Sequence, residues 1–393
     1  MKLKTSVRVM PFYAALYAAL AVYQSFFTVY LSRIGMDPAR IGVIMSISPM
    51  VALLGQPLFG SIGDRINYKN NLLFILSIGA IASMFFISKL HQYWQICVGM
   101  GFYCLFYLSI QPMGDSIALE SLDKAGESFS PVRTVGSLTF AFVSILAGRF
   151  LENRIGVVPS AICVMLMITL LTAFILPKVR GHKKKGEKIN VLALIKYKPL
   201  AVMLLLTVCM MIGMSFFYNY FSIYFQDELG GTSSMLGWAY FISATSELPF
   251  LLIADKLYTK YGVGRLLLIS AGVMMIRWFL LSIIRSAYIA MALQLLHSFC
   301  FTVMSFFMMR YINAIAPDSL KAGGQLLYTL FTLGIARIIG SLLGGQIGSI
   351  FGLRAIFVSG GILMAFSLVV FGIYVHKNNA ELLLGSRGEV KIT

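Results

Sequence analysis

A chain of 393 residues that is 59% apolar and 12% charged lies far from the ~25% charged residues of a typical soluble domain. In water it would expose extended apolar patches, so a soluble globular domain is excluded and a lipid bilayer is the solvent that fits. A net charge of +17 would also suit a nucleic-acid partner, but the placement of the charges argues against one.

Twelve apolar runs follow one another, at 10–32, 41–62, 71–89, 94–119, 131–152, 156–177, 200–226, 233–254, 264–284, 287–310, 322–347 and 354–375. Backbone amides cannot go unpaired in hydrocarbon, so each run is expected to be a membrane-spanning helix. Spans of about 20 residues leave only short connections. The expected fold is an all-α membrane protein of twelve transmembrane helices in two six-helix, pseudo-symmetric bundles. The first bundle covers 1–177, a linker 178–199, the second bundle 200–375 and a tail 376–393. Twenty-two Lys and Arg residues fall on the side that holds the termini and the 178–199 loop, and seven on the other. By the positive-inside rule the termini and that loop are cytoplasmic, and a multi-pass cell (inner) membrane location is expected. The bias accounts for most of the net charge, so no nucleic acid is needed. The basic run from Arg180 to Lys188 suits either a solvated linker or anionic lipid headgroups. All five cysteines lie in apolar runs and read as small buried hydrophobes. The first apolar run is too long for a cleavable signal peptide.

The halves resemble each other. Gly60-Ser-Ile-Gly-Asp64-Arg65 with Lys69 follows the second run, and Asp255-Lys256 with Lys260 follows the eighth. Arg133-Thr-Val-Gly-Ser137 opens the fifth run, and Arg337-Ile-Ile-Gly-Ser341 lies in the eleventh. Two matches in corresponding helices point to internal duplication, a common plan for transporters. The Gly60, Asp64, Arg65, Lys69 pattern resembles the loop 2–3 signature of the major facilitator superfamily, with Asn67 in place of a usual glycine. Within that superfamily, Gln56-Pro-Leu-Phe-Gly60, Asp115 ahead of Arg133-x-x-Gly136, and Leu296-His297 ahead of Arg310-Tyr-Ile312 resemble the oligosaccharide–proton symporters. Val132-Arg133-x-x-Gly-Ser137, Ile276-Arg277-Trp278 and Met309-Arg310-Tyr-Ile312 look at least as similar to the phenylpropionate permeases. The nucleoside–proton symporters share the Arg-x-x-Gly piece.

An ionisable group at mid-bilayer costs at least about 2.5–3.5 kcal/mol on insertion scales, so the few present are informative. They are Asp115, Arg133, Glu247, Arg277, His297 and Arg337. Asp115 and Arg133 sit on consecutive runs near the same end and are expected to meet, as substrate contacts or as an ion pair that fixes helix register. The resemblance implies substrate contact for both, and stacking on a sugar ring for Phe140. Gln111, one helical turn from Asp115, shares its face. Gln24, Tyr218 and Asn219 are candidate cavity residues, with Tyr23, Tyr328 and Thr332 beside them; for most of these, hydrogen bonding between helices is the alternative. Glu247, Arg277 and His297, on the eighth to tenth runs, match an acid, arginine and histidine of the symporters, which implies proton coupling. A histidine alone titrates near neutrality.

Departures from the symporter pattern matter. Cys300 replaces the proton-carrying acid, Gln294 and Leu333 replace lysines, and Tyr218 replaces an acid. If protons drive transport, Glu247, His297 or Asp115 must carry them. The sequence shows no P-loop, metal-ligand spacing or nucleophile–base cluster, so no enzyme activity, cofactor or metal is expected. The expected function is proton-coupled import of a small polar solute, such as a sugar or oligosaccharide, by alternating access. The alternatives are import of an aromatic acid or nucleoside, or efflux by an antiporter of the same fold. The expected partners are that solute, protons and membrane lipids. Arg337 has no evident role.

Overall fold

The computed structural model describes residues 4–181, 191–317 and 320–388; residues 182–188 of the basic run lie outside them. Every regular element among the described residues is helical, with no strand. In chain order come α1 (Thr5–Arg33), α2 (Pro38–Arg65), α3 (Lys69–Ile87), α4 (Tyr93–Ala125), α5 (Ser130–Leu151) and α6 (Val158–Ala173). A short 3₁₀ helix, Val191–Lys196, leads into α7 (Lys198–Asp227).

Among the described residues, eleven helical stretches are long and apolar enough to cross a membrane, and the one at Leu252–Ile283 straddles Gly262. Gly262 has φ 72° and ψ 168°, which no helix accommodates and which glycine adopts without strain. The run Ser233–Ile283 is therefore two helices, α8 (233–261) and α9 (263–283), and the expected count of twelve is reached. The remaining elements are α10 (Ala287–Ile315), α11 (Lys321–Phe351), α12 (Leu353–Lys377) and α13 (Asn379–Arg387).

Local chemistry sets several ends. Pro38 opens α2 behind Asp37, whose carboxylate accepts the Arg40 amide at 2.9 Å; proline is pre-shaped for that position and the aspartate satisfies a free donor. Glu127 caps α1 from a distance in sequence, accepting the Thr5 and Ser6 amides at 2.9 Å each. α4 runs beyond the apolar stretch to Ala125, because its last turns carry Glu120, Asp123 and Lys124, polar residues at which hydropathy stops but a helix does not.

Contacts divide the chain into two compact units. The first comprises Met1–Gly186 with Gly231–Phe241, the second Glu187–Gly230 with Ile242–Thr393. In the first unit α1 is the most buried span and lies against α5 and α6, while α3 packs on α4 and α6. The opening turns of α8 belong here, whereas the sequence places them with the second half. A Cβ on Gly148 of α5 would come within 2.5 Å of the Ser233 carbonyl oxygen, so only glycine permits that approach. The Ser234 amide also donates to Glu152 at 2.7 Å. In the second unit α7 holds the central place, against α11 and α12.

The segment expected as a tail is ordered as α13. It buries Leu382, and the Val263 amide donates to the Ser386 hydroxyl at 2.9 Å. Its Glu381 accepts from the Tyr197 hydroxyl at 3.1 Å. It thereby docks at the kink between α8 and α9.

Candidate functional site

The second unit assembles its three expected residues. Arg277 on α9 is fully buried. Its Nη2 donates to Oε1 of Gln294 at 2.5 Å, and its Nη1 lies 3.4 Å from Nδ1 of His297. Gln294 is held in turn by donating to the Ala290 carbonyl at 2.9 Å. The guanidinium lies 4.5 Å from the ring centre of Phe217 on α7 and 5.1 Å from that of Trp278, a favourable place for a cation. Nε2 of His297 stands 3.9 Å from Oε1 of Glu247 on α8. An arginine can only donate, so His297 accepts at Nδ1 and carries its proton on Nε2, toward Glu247. The series Gln294, Arg277, His297, Glu247 thus crosses three helices. Glu247 keeps about a third of its side chain exposed, whereas the other three members are buried.

Tyr218 adjoins this series, its ring centre 6.2 Å from that of His297 in an edge-on arrangement. Arg337, which the sequence leaves without a role, also meets Tyr218: its guanidinium sits 5.1 Å from the centre of that ring. Its helix, α11, widens to π geometry at Leu330–Ala336 immediately before Arg337, a local feature frequent at functional sites. Asn219 donates to the Ser341 hydroxyl at 2.7 Å and is buried. Its amide therefore ties α7 to α11, the helix-packing alternative. Cys300 is buried, and its carbonyl lies 3.4 Å from the Ser270 hydroxyl.

The first unit is arranged differently. Asp115 on α4 accepts from the Tyr13 hydroxyl of α1 at 2.5 Å. Arg133 stands exposed in the first turns of α5, and no ion pair joins it to Asp115 among the described residues. In this conformation the two do not form the expected ion pair, and the hydrogen bond found on the carboxylate among the described residues comes from Tyr13. Gln111, Gln24 and Phe140 are half-buried, and no side-chain contact brings them onto Asp115 among the described residues. Nearby on α1 and α4, Tyr23, Tyr103 and Tyr107 form an aromatic cluster, with Tyr103 and Tyr107 stacked at 4.9 Å. The Tyr103 hydroxyl is buried without a hydrogen-bond partner among the described residues.

In the loop 2–3 motif, Lys69 is buried and donates to the Ser116 hydroxyl at 2.8 Å, with Glu120 at 3.3 Å. A small cavity of about 120 Å³ lies between Gly60, Lys69 and Ser116. Arg65 is exposed, and the Asp64 side chain lies outside the described residues. The corresponding place in the second half pairs Arg310 with Asp255. Among the described residues no group of three or more His, Cys, Asp or Glu side chains could hold a metal ion.

Sequence reading missed Tyr13, Gln294 as a partner of Arg277, and the stacking of Arg337 on Tyr218. None of these contacts joins residues that are neighbours in the chain. The one available signal was a polar or charged group inside an apolar run, which needs some partner but does not name it.

Known proteins share this architecture. The sequence profile of the MFS_1 like family matches residues 7–359. The chain is 26% identical to the maltose permease of Geobacillus stearothermophilus over 364 residues, covering 86% of this chain and 88% of that protein. It is 24% identical to an Escherichia coli (strain K12) protein named "Probable 3-phenylpropionic acid transporter", covering 77% of this chain and 80% of that one. Among solved structures, the nucleoside transporter NupG superposes with a TM-score of 0.83 at 13% identity, covering 94% of this chain and 99% of that one.

Proposed function

The chain belongs to the MFS_1 like family, and on that premise we propose that it is a proton-coupled symporter that imports a small polar solute by alternating access. A membrane transporter of sugars, nucleosides or similar solutes is the common ground of its relatives. The observation that carries the finer reading is the series Gln294, Arg277, His297 and Glu247 inside apolar helices. A carboxylate next to a histidine and a buried cation can take up and release a proton as those neighbours shift. Three buried members and one part-exposed carboxylate give the series an accessible end where protons can enter. Asp115 and Arg133, with Gln111, Phe140, Gln24 and Tyr218, supply substrate contacts, and the Gly60–Lys69 loop gates the conformational change. Transport proceeds by alternating access, with both termini cytoplasmic in the inner membrane. Sugars are the first class of cargo by resemblance to the maltose permease; aromatic acids follow from the second relative.

The test is uptake in proteoliposomes under an imposed inward pH gradient, with labelled maltose, 3-phenylpropionate and uridine as probes. Glu247→Gln is expected to reduce gradient-driven accumulation to background while leaving counterflow exchange, which moves no net proton, at least partly intact. Cys300→Ser is expected to accumulate normally. Accumulation by Glu247→Gln against a gradient, with loss in the His297 and Asp115 variants, overturns the assignment of Glu247 as the proton carrier.

A further inference from the structure

In the first unit α5 and α6 both lie against α1, and an apolar groove of about 480 Å³ runs between them. Leu146 and Phe150 of α5 form part of one wall, Ala161 and Val164 of α6 part of the other, and the buried Val22 of α1 lies at the base. Leu146, Phe150 and Val164 are each more than half exposed. In a chain that crosses a membrane, an open apolar face of this kind meets hydrocarbon. The walls extend from Val143 to Leu151 on α5 and from Val157 to Met165 on α6 and the turn before it. At 1.5 Å per residue each wall is about 12 Å long, close to half of the ~30 Å hydrocarbon thickness. The groove therefore has the reach of one acyl chain in one leaflet. It is too short to seat a partner's spanning helix along its length, which takes about 20 residues.

The mouth of the groove lies where α5 ends and α6 begins, and its charged lining residue is Arg154. The backbone holds that residue in place. Its amide donates to the Leu151 carbonyl at 2.9 Å, and its carbonyl accepts from the Val157 amide at 3.0 Å. Asn153 before it has φ 60°, the left-handed region that asparagine tolerates better than most residues. The Arg154 guanidinium lies 5.7 Å from the ring centre of Phe150, which keeps it at the groove. Glu152, the acid nearest in sequence, instead accepts from the Ser234 amide at 2.7 Å. Arg149, in the last turn of α5, is a second exposed cation at the same end. No ion pair joins either arginine to a carboxylate among the described residues. A guanidinium offers a planar fork of donors that matches phosphate oxygens. Apolar walls of one-leaflet length beneath a guanidinium thus match the two parts of one amphiphile. A zwitterionic head carries its own cation to its phosphate, so a net-anionic head is the better complement.

We propose that the groove between α5 and α6 binds an anionic phospholipid, whose phosphate meets Arg154 and one of whose acyl chains lies over Val22 between Phe150 and Val164. The lipid fills the gap that α1 leaves between its two neighbours and so stabilises the first unit. The site is separate from the residues assigned to solute and proton, and it does not depend on which solute is carried.

The experiment follows the melting temperature of the purified full chain, stripped of lipid in a neutral detergent, because a ligand of the native state raises it. The probes are dioleoylphosphatidylglycerol, dioleoylphosphatidylethanolamine and glycerol 3-phosphate. Phosphatidylglycerol is expected to stabilise at a lower mole fraction than phosphatidylethanolamine, and the headgroup without chains is expected to have no effect. Arg154→Gln is expected to weaken the apparent affinity for phosphatidylglycerol about fivefold, the worth of one basic residue at an anionic membrane surface, and to remove the preference for it. Arg154→Lys keeps the charge and is expected to keep most of the preference, which separates lost binding from lost folding. Arg285→Gln, which changes an exposed arginine of the second unit, is expected to leave the preference whole. Ala161→Phe places a ring in the groove and is expected to reduce stabilisation by both lipids. The proposal is overturned if the two lipids stabilise wild type equally, if glycerol 3-phosphate stabilises as well as the lipid, if the preference survives Arg154→Gln, or if Arg285→Gln lowers it as much. Light scattering in the same detergent is expected to give one chain per particle. A dimer that Ala161→Phe disrupts would assign the groove to a second copy and overturn the proposal as well.

Discussion

The two units solve the problem of an intramembrane charge in opposite ways. In the first, Asp115 is met by one hydroxyl, from Tyr13, and Arg133 stands exposed. In the second, Arg277 is fully buried and linked through His297 toward Glu247, with Gln294 on its other side. The two halves, similar in motif, thus differ: in one an acid rests on a hydroxyl with the arginine apart, and in the other the charged groups form a connected series. A connected series passes a change at one member to the next, as proton coupling requires, whereas an exposed arginine is free to take a new partner.

The largest expected effect breaks the connected series. Gln294→Leu removes a hydrogen-bond acceptor from a fully buried guanidinium, a loss of about 1.5–3 kcal/mol for a hydrogen bond to a charged group. Arg133→Gln, on the exposed side of the comparison, is expected to stay within about 0.5 kcal/mol of wild type. Thermal unfolding of the two purified variants in one detergent measures the contrast. Equal losses would show that the units do not differ in the way described.

A middle-sized effect concerns the single contact on Asp115. Tyr13→Phe keeps the ring, with its edge-on packing against Phe129 at 5.4 Å, and removes only the hydroxyl. The expected loss is about 1–3 kcal/mol, the cost of leaving a largely buried acceptor without its donor. The double variant Tyr13→Phe, Asp115→Asn is expected to recover part of that loss in the same unfolding measurement. No recovery would mean that the hydroxyl stabilises α1 by another route.

The smallest effect is a pH dependence at the edge of the first unit. The Ser6 hydroxyl and amide, with the Thr5 amide, hold the Glu127 carboxyl below its ordinary range. A carboxylate whose value is depressed by folding contributes stability above its unfolded value, here near 4.5, and loses that contribution as pH falls through the folded value. The gap in melting temperature between wild type and Glu127→Gln is therefore expected to be full at neutral pH and to close on acidification below that point. A gap that grows on acidification would reverse the sign and refute the assignment.

Most of the fold was legible in the sequence, because hydrocarbon forces every apolar run into a helix and the run lengths then fix the count. The ends were less legible. α4 continues through Glu120 and Lys124 because a helix can leave the membrane without unwinding, which hydropathy cannot register. Gly262 joins two helices with no polar linker between them, so only its backbone angles mark the break. At the site, the residue types Glu247, Arg277 and His297 were readable because charge inside an apolar run is costly and rare. Their partners were not. Gln294 stood out as a replaced lysine, but nothing in its sequence neighbourhood points to Arg277. Asp115 and Arg133 are near in sequence and share an end of consecutive helices, yet the carboxylate is taken by Tyr13, 102 residues earlier.

The docking of α13 has a consequence for how the molecule is made. Its residues meet the turn at Gly262, Tyr311 of α10 (at Gly385) and Tyr197 ahead of α7, all of which leave the ribosome before it. The second unit therefore cannot complete its packing during synthesis of its own membrane spans. Until residues 379–387 emerge, the amide of Val263 lacks the hydroxyl that accepts it, and the joint between α8 and α9 is completed only by a segment translated after both helices.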